Sequence, residues 1–361
     1  MGTIALVTFD GGGNVPPMVT IGRELTARGH RVVLVGQPRQ ATIASAAGFE
    51  FHPLETADFW NAGVRRSVPA AVGQAVGLLA SRELGREIAA RVQEAGADVA
   101  LVDCLLTSGI RELGRSGAPT IVLFHTLVSY WTGSLARGPV GMLARLRGTD
   151  PTRVWATAEE RIAVCDREMD SASDPTVHWV GSLERGVPHV QQPGSPRVLV
   201  SLSTAWLPGQ SSAYQRIIDA LADLPVRAVV TLGGVTPDRP LHAPANVEVV
   251  QRADHAALMP AAALLIGHGG HSTTMKALAH GIPLVLLPMH PLLDEPAVAE
   301  GAARLGVGCV LSRKSSAPRI RDAVVRMLAD DRASGAAAEV GTRLRSSDPA
   351  GVAADLIEAR A

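Results

Sequence analysis

Apolar runs of strand length alternate along the chain with stretches of helical spacing. Residues 3–9 are apolar, 10–14 are Gly-rich, and Pro16-Pro17 open a stretch with Met18, Ile21 and Leu25 at helical spacing. Gly29 closes that helix and 31–35 is a β-branched run, so the segment predicts a βαβ unit with parallel strands. Further strands are predicted at 97–102 and 120–124, with a helix between them. The polar run around Pro188, Gln191, Gln192, Pro193, Gly194, Ser195 and Pro196 reads as a linker. Beyond it the pattern restarts, with strands at 197–202, 226–232, 247–250, 263–266, 283–287 and 309–311. Helices fall at 213–222, 256–262, 274–280, 295–305 and 319–328. The residues predict an α/β chain of two doubly wound parallel-sheet domains, with a ligand cleft between the carboxyl ends of their strands.

Composition narrows the partners. The 361 residues are 47% hydrophobic and 19% charged, enough apolar material for two cores and too much for a disordered chain. Lys+Arg and Asp+Glu both number 34, which argues against a nucleic-acid partner or an anionic membrane surface. No uninterrupted apolar stretch approaches the ~20 residues of a membrane span. The first residues lack the basic start of a secretory signal, so a cytoplasmic location is expected. Cys104, Cys165 and Cys309 are too scattered for a disulfide framework or a zinc knuckle.

A dinucleotide reading of the first βα turn fails on its residues. Gly11 and Gly13 supply G-x-G, but Pro16 holds the third position, and the second strand ends in Leu34-Val35-Gly36-Gln37 without an acid for a ribose. A P-loop fails too, because Lys276 and Lys314 are the only lysines and neither follows its glycine pattern. The stronger signal starts at Ile266, where a buried strand runs through Gly269 and Gly270 into a helix expected to begin near 272–274. Free N–H groups of that first turn, the hydroxyls of Ser272, Thr273 and Thr274, and the positive end of the helix dipole suit a diphosphate. The plainer alternative is a tight connection with Ser272 as an ordinary N-cap.

The whole constellation resembles the donor-sugar-nucleotide motif of the GT-B glycosyltransferases, family 1, in their bacterial natural-product (macrolide-type) branch. It comprises His268-Gly269-Gly270-His271-Ser272-Thr273-Thr274, Ala277-Leu278-Ala279-His280-Gly281-Ile282-Pro283, Leu287-Pro288-Met289 and Asp294-Glu295. Gly12-Gly13-Asn14-Val15-Pro16-Pro17-Met18, Val102-Asp103-Cys104-Leu105-Leu106, His125-Thr126-Leu127, Val177-His178-Trp179-Val180-Gly181 and Val200-Ser201-Leu202-Ser203-Thr204 extend the likeness over nearly the whole chain. The resemblance implies an acceptor-binding domain at 1–183, a linker at 184–195 and a sugar-nucleotide domain at 196–340. A C-terminal helix within 341–361 would cross back to the first domain. It implies that His268, Gly269, Gly270, Ser272, Thr273, Ser203 and Thr204 face the diphosphate, that Asp294 and Glu295 hold sugar hydroxyls, and that His255 borders the nucleobase. Glu295 departs from the family's Gln, exchanging an amide for an acceptor-only carboxylate.

Inverting transfer needs a group that takes the acceptor's proton as its oxygen attacks the anomeric carbon. The family's His at the end of the first strand is Asn14 here, and its acidic partner falls near Ser108. An amide is not a base, so His125 is the candidate proton acceptor, with Asp103 orienting it or Asn14 or else only stabilising the strand end. A structural loop His125 and an acceptor acidic enough to need no base stay open. Trp60, Tyr130, Trp131 and Met142 are expected in loops as an acceptor wall. The expected activity is inverting, metal-independent transfer of a hexose or deoxyhexose from a UDP- or TDP-sugar to an apolar secondary metabolite. No cofactor beyond the sugar nucleotide and no metal are expected, since His268 and His271 straddle a turn without a third ligand. A homodimer stays open as a partner state. So do two other readings, a base-less auxiliary or sugar-nucleotide-binding protein and a sugar-nucleotide epimerase of the same fold.

Overall fold

The structure is a computed structural model that describes residues 1–61, 64–65, 67–190 and 193–361; Gln191 and Gln192 of the expected linker lie outside the described residues. The chain forms two units. The first comprises Met1–Arg167, Ser171–Leu183 and Asp348–Ala361, and the second Glu168–Asp170 and Glu184–Ser347.

In the first unit seven strands form one parallel sheet: β1 (Thr3–Val7), β2 (Arg31–Gly36), β3 (Glu50–Pro53), β4 (Val99–Asp103), β5 (Thr120–Phe124), β6 (Glu160–Ala163) and β7 (His178–Trp179). Their order is β3-β2-β1-β4-β5-β6-β7. From β1 the chain winds outward to β2 and β3, and then returns to start β4 on the other side. The switch point therefore lies between the carboxyl ends of β1 and β4, where open α/β sheets open a crevice. Met18, Ile21 and Leu25 of the helix Val15–Ala27 are buried against Ile4, Leu6 and Leu101, as their spacing predicts. Ala353, Ala354 and Ile357 of the last helix, Pro349–Glu358, complete this core. Arg28 anchors that helix through Asp355 (2.5 Å) and Glu358 (2.9 Å), and His30 Nε2 lies 2.9 Å from Glu358.

The second unit holds β8 (Arg197–Ser201), β9 (Arg227–Thr231), β10 (Val247–Val250), β11 (Leu264–Gly267), β12 (Leu284–Leu286) and β13 (Gly308–Val310), all parallel, in the order β10-β9-β8-β11-β12-β13. Its switch point lies between β8 and β11, which lead into Ser203-Thr204 and His268-Gly269-Gly270 respectively. Both faces of the sheet are covered, so its strands read as continuous apolar runs. No helix among the described residues is long and apolar enough to cross a membrane.

Candidate functional site

In the first unit three strand ends converge on one carboxylate. β1 and β4 pair in register, Val7 opposite Val102, so the loop after β1 lies beside the end of β4. Asp103, the last residue of β4, is fully buried. Its Oδ1 accepts the Leu105 N–H at 2.9 Å. Its Oδ2 accepts the Asn14 side-chain amide at 3.0 Å and lies 3.0 Å from His125 Nδ1. Asn14 also donates to the Phe9 carbonyl at 2.8 Å, and its Oδ1 accepts the Gly11 N–H at 3.0 Å. The amide is thus spent on fixing the first loop and the carboxylate.

His125 is placed differently. Its Nδ1 faces Asp103, its ring edge packs on Trp131 with centroids 4.8 Å apart, and its side chain is 15% exposed. With Nδ1–H held by the carboxylate, Nε2 keeps its lone pair and can accept a proton. The carboxylate beside Asn14 and His125 is Asp103, the residue expected to orient one or the other; Ser108, where the resemblance places an acidic partner, is buried in the helix Thr107–Ser116. Asp103, Cys104 and His125 also form the one group of metal-ligating type among the described residues, their ligand atoms within 4.8 Å of one another. Burial pushes the Cys104 thiol well up.

The expected acceptor wall needs correction. Tyr130 and Trp131 do not lie in a loop. They sit in the helical turn Val128–Tyr130 and the π-helical turn Trp131–Leu135, and both are buried. Apolar bulk after β5 packs inward onto His125 rather than lining an open surface. Met142 is exposed, but on the helix Pro139–Leu146. Trp60 is half-buried, edge-on to Phe9, with its Nε1–H donating to the Asp10 carbonyl at 2.9 Å.

In the second unit the turn after β11 feeds the helix His271–Ala279, which begins before the expected 272–274. Gly270 is its N-cap, with no side-chain cap. Ser272 is therefore not the ordinary N-cap of the plainer reading; its hydroxyl donates to the Glu184 carboxylate instead. Gly269 has φ +88°, and a Cβ there would sit 2.8 Å from the Glu295 carbonyl, so only glycine lets this turn lie against the 294–295 segment. Gly233, with φ +64°, packs as closely on the backbone of Ser203 and Thr204. His268 Nδ1 is buried and has no hydrogen-bond partner among the described residues, and burial pushes the imidazole down to about 4. The His is thus neutral near pH 7. His255 is held by Thr231 Oγ1 at 3.0 Å, and burial lowers it as well.

Glu295 is 2% exposed, with Oε2 accepting the N–H groups of Met289 and of His290, the latter at 2.9 Å. Its carboxyl therefore braces the 289–290 backbone, and Asp294 is the N-cap residue of the helix Glu295–Arg304. Burial outweighs those two hydrogen bonds and pushes Glu295 up to about 8. Between the ordinary carboxyl range and that value the folded chain keeps a proton that the unfolded chain has released. Stability is therefore expected to fall as pH rises through this window, by up to ~1.4 kcal/mol per pH unit. Melting temperature against pH should show that slope in the native chain, and Glu295→Gln should flatten it.

Comparisons with known proteins meet this geometry. Residues 215–359 match the family model of the erythromycin biosynthesis protein CIII-like C-terminal domain. The calicheamicin glycosyltransferase CalG4 superposes with a TM-score of 0.77 at 25% identity, covering 100% of this chain and 98% of that one. The chain has the fold of the GT-B glycosyltransferases. Demethyllactenocin mycarosyltransferase of Streptomyces fradiae is 34% identical over 169 residues, 46% of this chain but only 36% of that relative. O-mycaminosyltylonolide 6-deoxyallosyltransferase of the same organism is 25% identical over 383 aligned positions, 89% of each chain. In this GT-B fold the two switch points hold the Asn14–Asp103–His125 cluster in the first unit and the His268–Thr273 turn in the second.

Proposed function

We propose that the protein transfers a hexose or deoxyhexose from a UDP- or TDP-sugar to a hydroxyl of an apolar secondary metabolite, with inversion and without a metal. The observation that carries this reading is the shared carboxylate. Asp103 holds the Asn14 amide and the His125 imidazole at 3.0 Å each, so the base that Asn14 cannot supply is supplied from β5. His125 Nε2 takes the acceptor proton as the oxygen attacks, and Asp103 stabilises the imidazolium that forms. The departing diphosphate is met by the uncapped N-terminus of the helix His271–Ala279 and by a hydrogen bond from His268, which replace a metal. No cofactor beyond the sugar nucleotide is needed. Names of the relatives, a mycarosyltransferase and a 6-deoxyallosyltransferase, support a deoxyhexose donor.

Incubating the chain with UDP- and TDP-sugars and a panel of apolar aglycones tests the reading. Glycoside formation with release of nucleoside diphosphate is expected; an epimerised sugar, or binding without turnover, would overturn it. On the donor side, His268→Ala removes one hydrogen bond to a charged group, worth roughly 1.5–3 kcal/mol, or about ten- to hundredfold in donor affinity. Calorimetry with the nucleoside diphosphate reads that loss directly.

A further inference from the structure

We propose that Glu184 is a determinant of donor affinity: its carboxylate is an internal anion on the phosphate-facing turn, and the donor diphosphate must displace it. The proposal rests on the assignment of the His268–Thr273 turn to the diphosphate. Ser272 Oγ donates to Glu184 Oε1. A hydroxyl has one proton, so while Ser272 gives it to Glu184 it can offer a phosphate oxygen only lone pairs. The same carboxylate reaches Lys276 one turn further along the helix, with Oε2 3.5 Å from Nζ. Glu184 therefore occupies at once a hydroxyl and a cation that would otherwise face an anionic ligand. It does so at a helix N-terminus that Gly270 caps without a side chain, where the backbone favours negative charge.

The backbone beyond Glu184 is held by contacts of its own. Glu184 is the residue at which the chain enters the second unit after Leu183. The residues that follow are pinned independently of it. Val187 N–H donates to His280 Nδ1 at 3.1 Å, His189 N–H to the His280 carbonyl at 2.8 Å, and Val190 N–H to the Pro260 carbonyl at 3.0 Å. A rotation of the Glu184 side chain would free Ser272 and Lys276 without requiring those backbone bonds to break. A diphosphate then binds in exchange for one carboxylate, and the measured affinity is lowered by the fraction of molecules in which Glu184 holds the turn.

Titration calorimetry on the full chain with TDP, with inorganic diphosphate and with uncharged thymidine tests this. Glu184→Gln and Glu184→Ala are both expected to tighten TDP and diphosphate by about tenfold, the worth of one charge-assisted contact, and to leave thymidine unchanged. Adding Ser272→Ala to Glu184→Gln should remove much of the gain. Unchanged or weaker diphosphate binding in both Glu184 variants, or equal tightening of thymidine, would overturn the assignment. His268→Ala, titrated alongside, separates the two ideas. If it leaves TDP affinity intact, the diphosphate site itself is misplaced; if it weakens TDP while the Glu184 variants show no gain, only the role of Glu184 falls.

Discussion

Replacing His125 with alanine is expected to lower kcat by ~10²–10⁴, the range a positioned base contributes. The expectation follows from the order of contacts at the switch point. Asp103 is fully buried and its Oδ2 serves both Asn14 and His125, so the imidazole is oriented by a group that cannot drift into solvent. Asn14→Ala removes one side-chain hydrogen bond to that carboxylate and should cost far less, about 0.5–1.5 kcal/mol of transition-state stabilisation. Asp103→Asn keeps the shape but cannot accept from both neighbours as a carboxylate does, and it should resemble His125→Ala more than Asn14→Ala. Single-turnover rates with saturating donor and acceptor measure all three. Full turnover by His125→Ala would overturn the base assignment. An acceptor acidic enough to attack as its own anion would then explain why Asn14 suffices.

The sheets were legible because a strand buried on both faces is apolar through its middle, and the strands that form the switch points are, with polar residues only at their ends. Apolar runs at 3–9 and 97–102 mark β1 and β4 almost to their ends. β3 and β6 carried no such signal, because Glu50, Glu160 and Arg161 interrupt them, and β7 is only two residues long. The Gly-rich turn before the helix His271–Ala279 was readable as a local string, since its glycines, hydroxyls and histidine are consecutive. The cluster of Asn14, Asp103 and His125 was legible only as candidate residues, because its members follow three different strands and their shared contact at Asp103 depends on how those strands pair. The resemblance puts an acidic position near Ser108, whereas the register of β1 against β4 brings Asp103 beside Asn14. Strand order explains the meeting, since the residues following adjacent strands come together at a switch point. Glu295 shows the opposite limit. Sequence presents it as an acceptor-only departure from Gln, but its burial keeps it protonated near pH 7, with an O–H that can donate as the amide's N–H would.

Trp131→Ala is expected to destabilise the chain by ~3–5 kcal/mol, a large share of the ~5–15 kcal/mol that holds a typical domain together. An exposed wall residue would cost almost nothing, but Trp131 is 2% exposed and packs edge-on against both His125 and Tyr130 at 4.8 Å. Removing the indole leaves a cavity beside the base, so kcat should fall as well through loss of the His125 orientation. Trp131→Phe separates packing from hydrogen bonding. Trp131 Nε1 is buried without a hydrogen-bond partner among the described residues, so phenylalanine discards an unsatisfied donor while keeping most of the ring contact. Its cost should stay within about 1.5 kcal/mol. Denaturant melts read the stability of both variants, and KM against kcat for the acceptor reads their function. A native-like melt for Trp131→Ala with a raised acceptor KM would return Trp131 to the open wall. A melt lowered by the full cavity cost, with kcat falling more than KM rises, makes it the packing that holds the base.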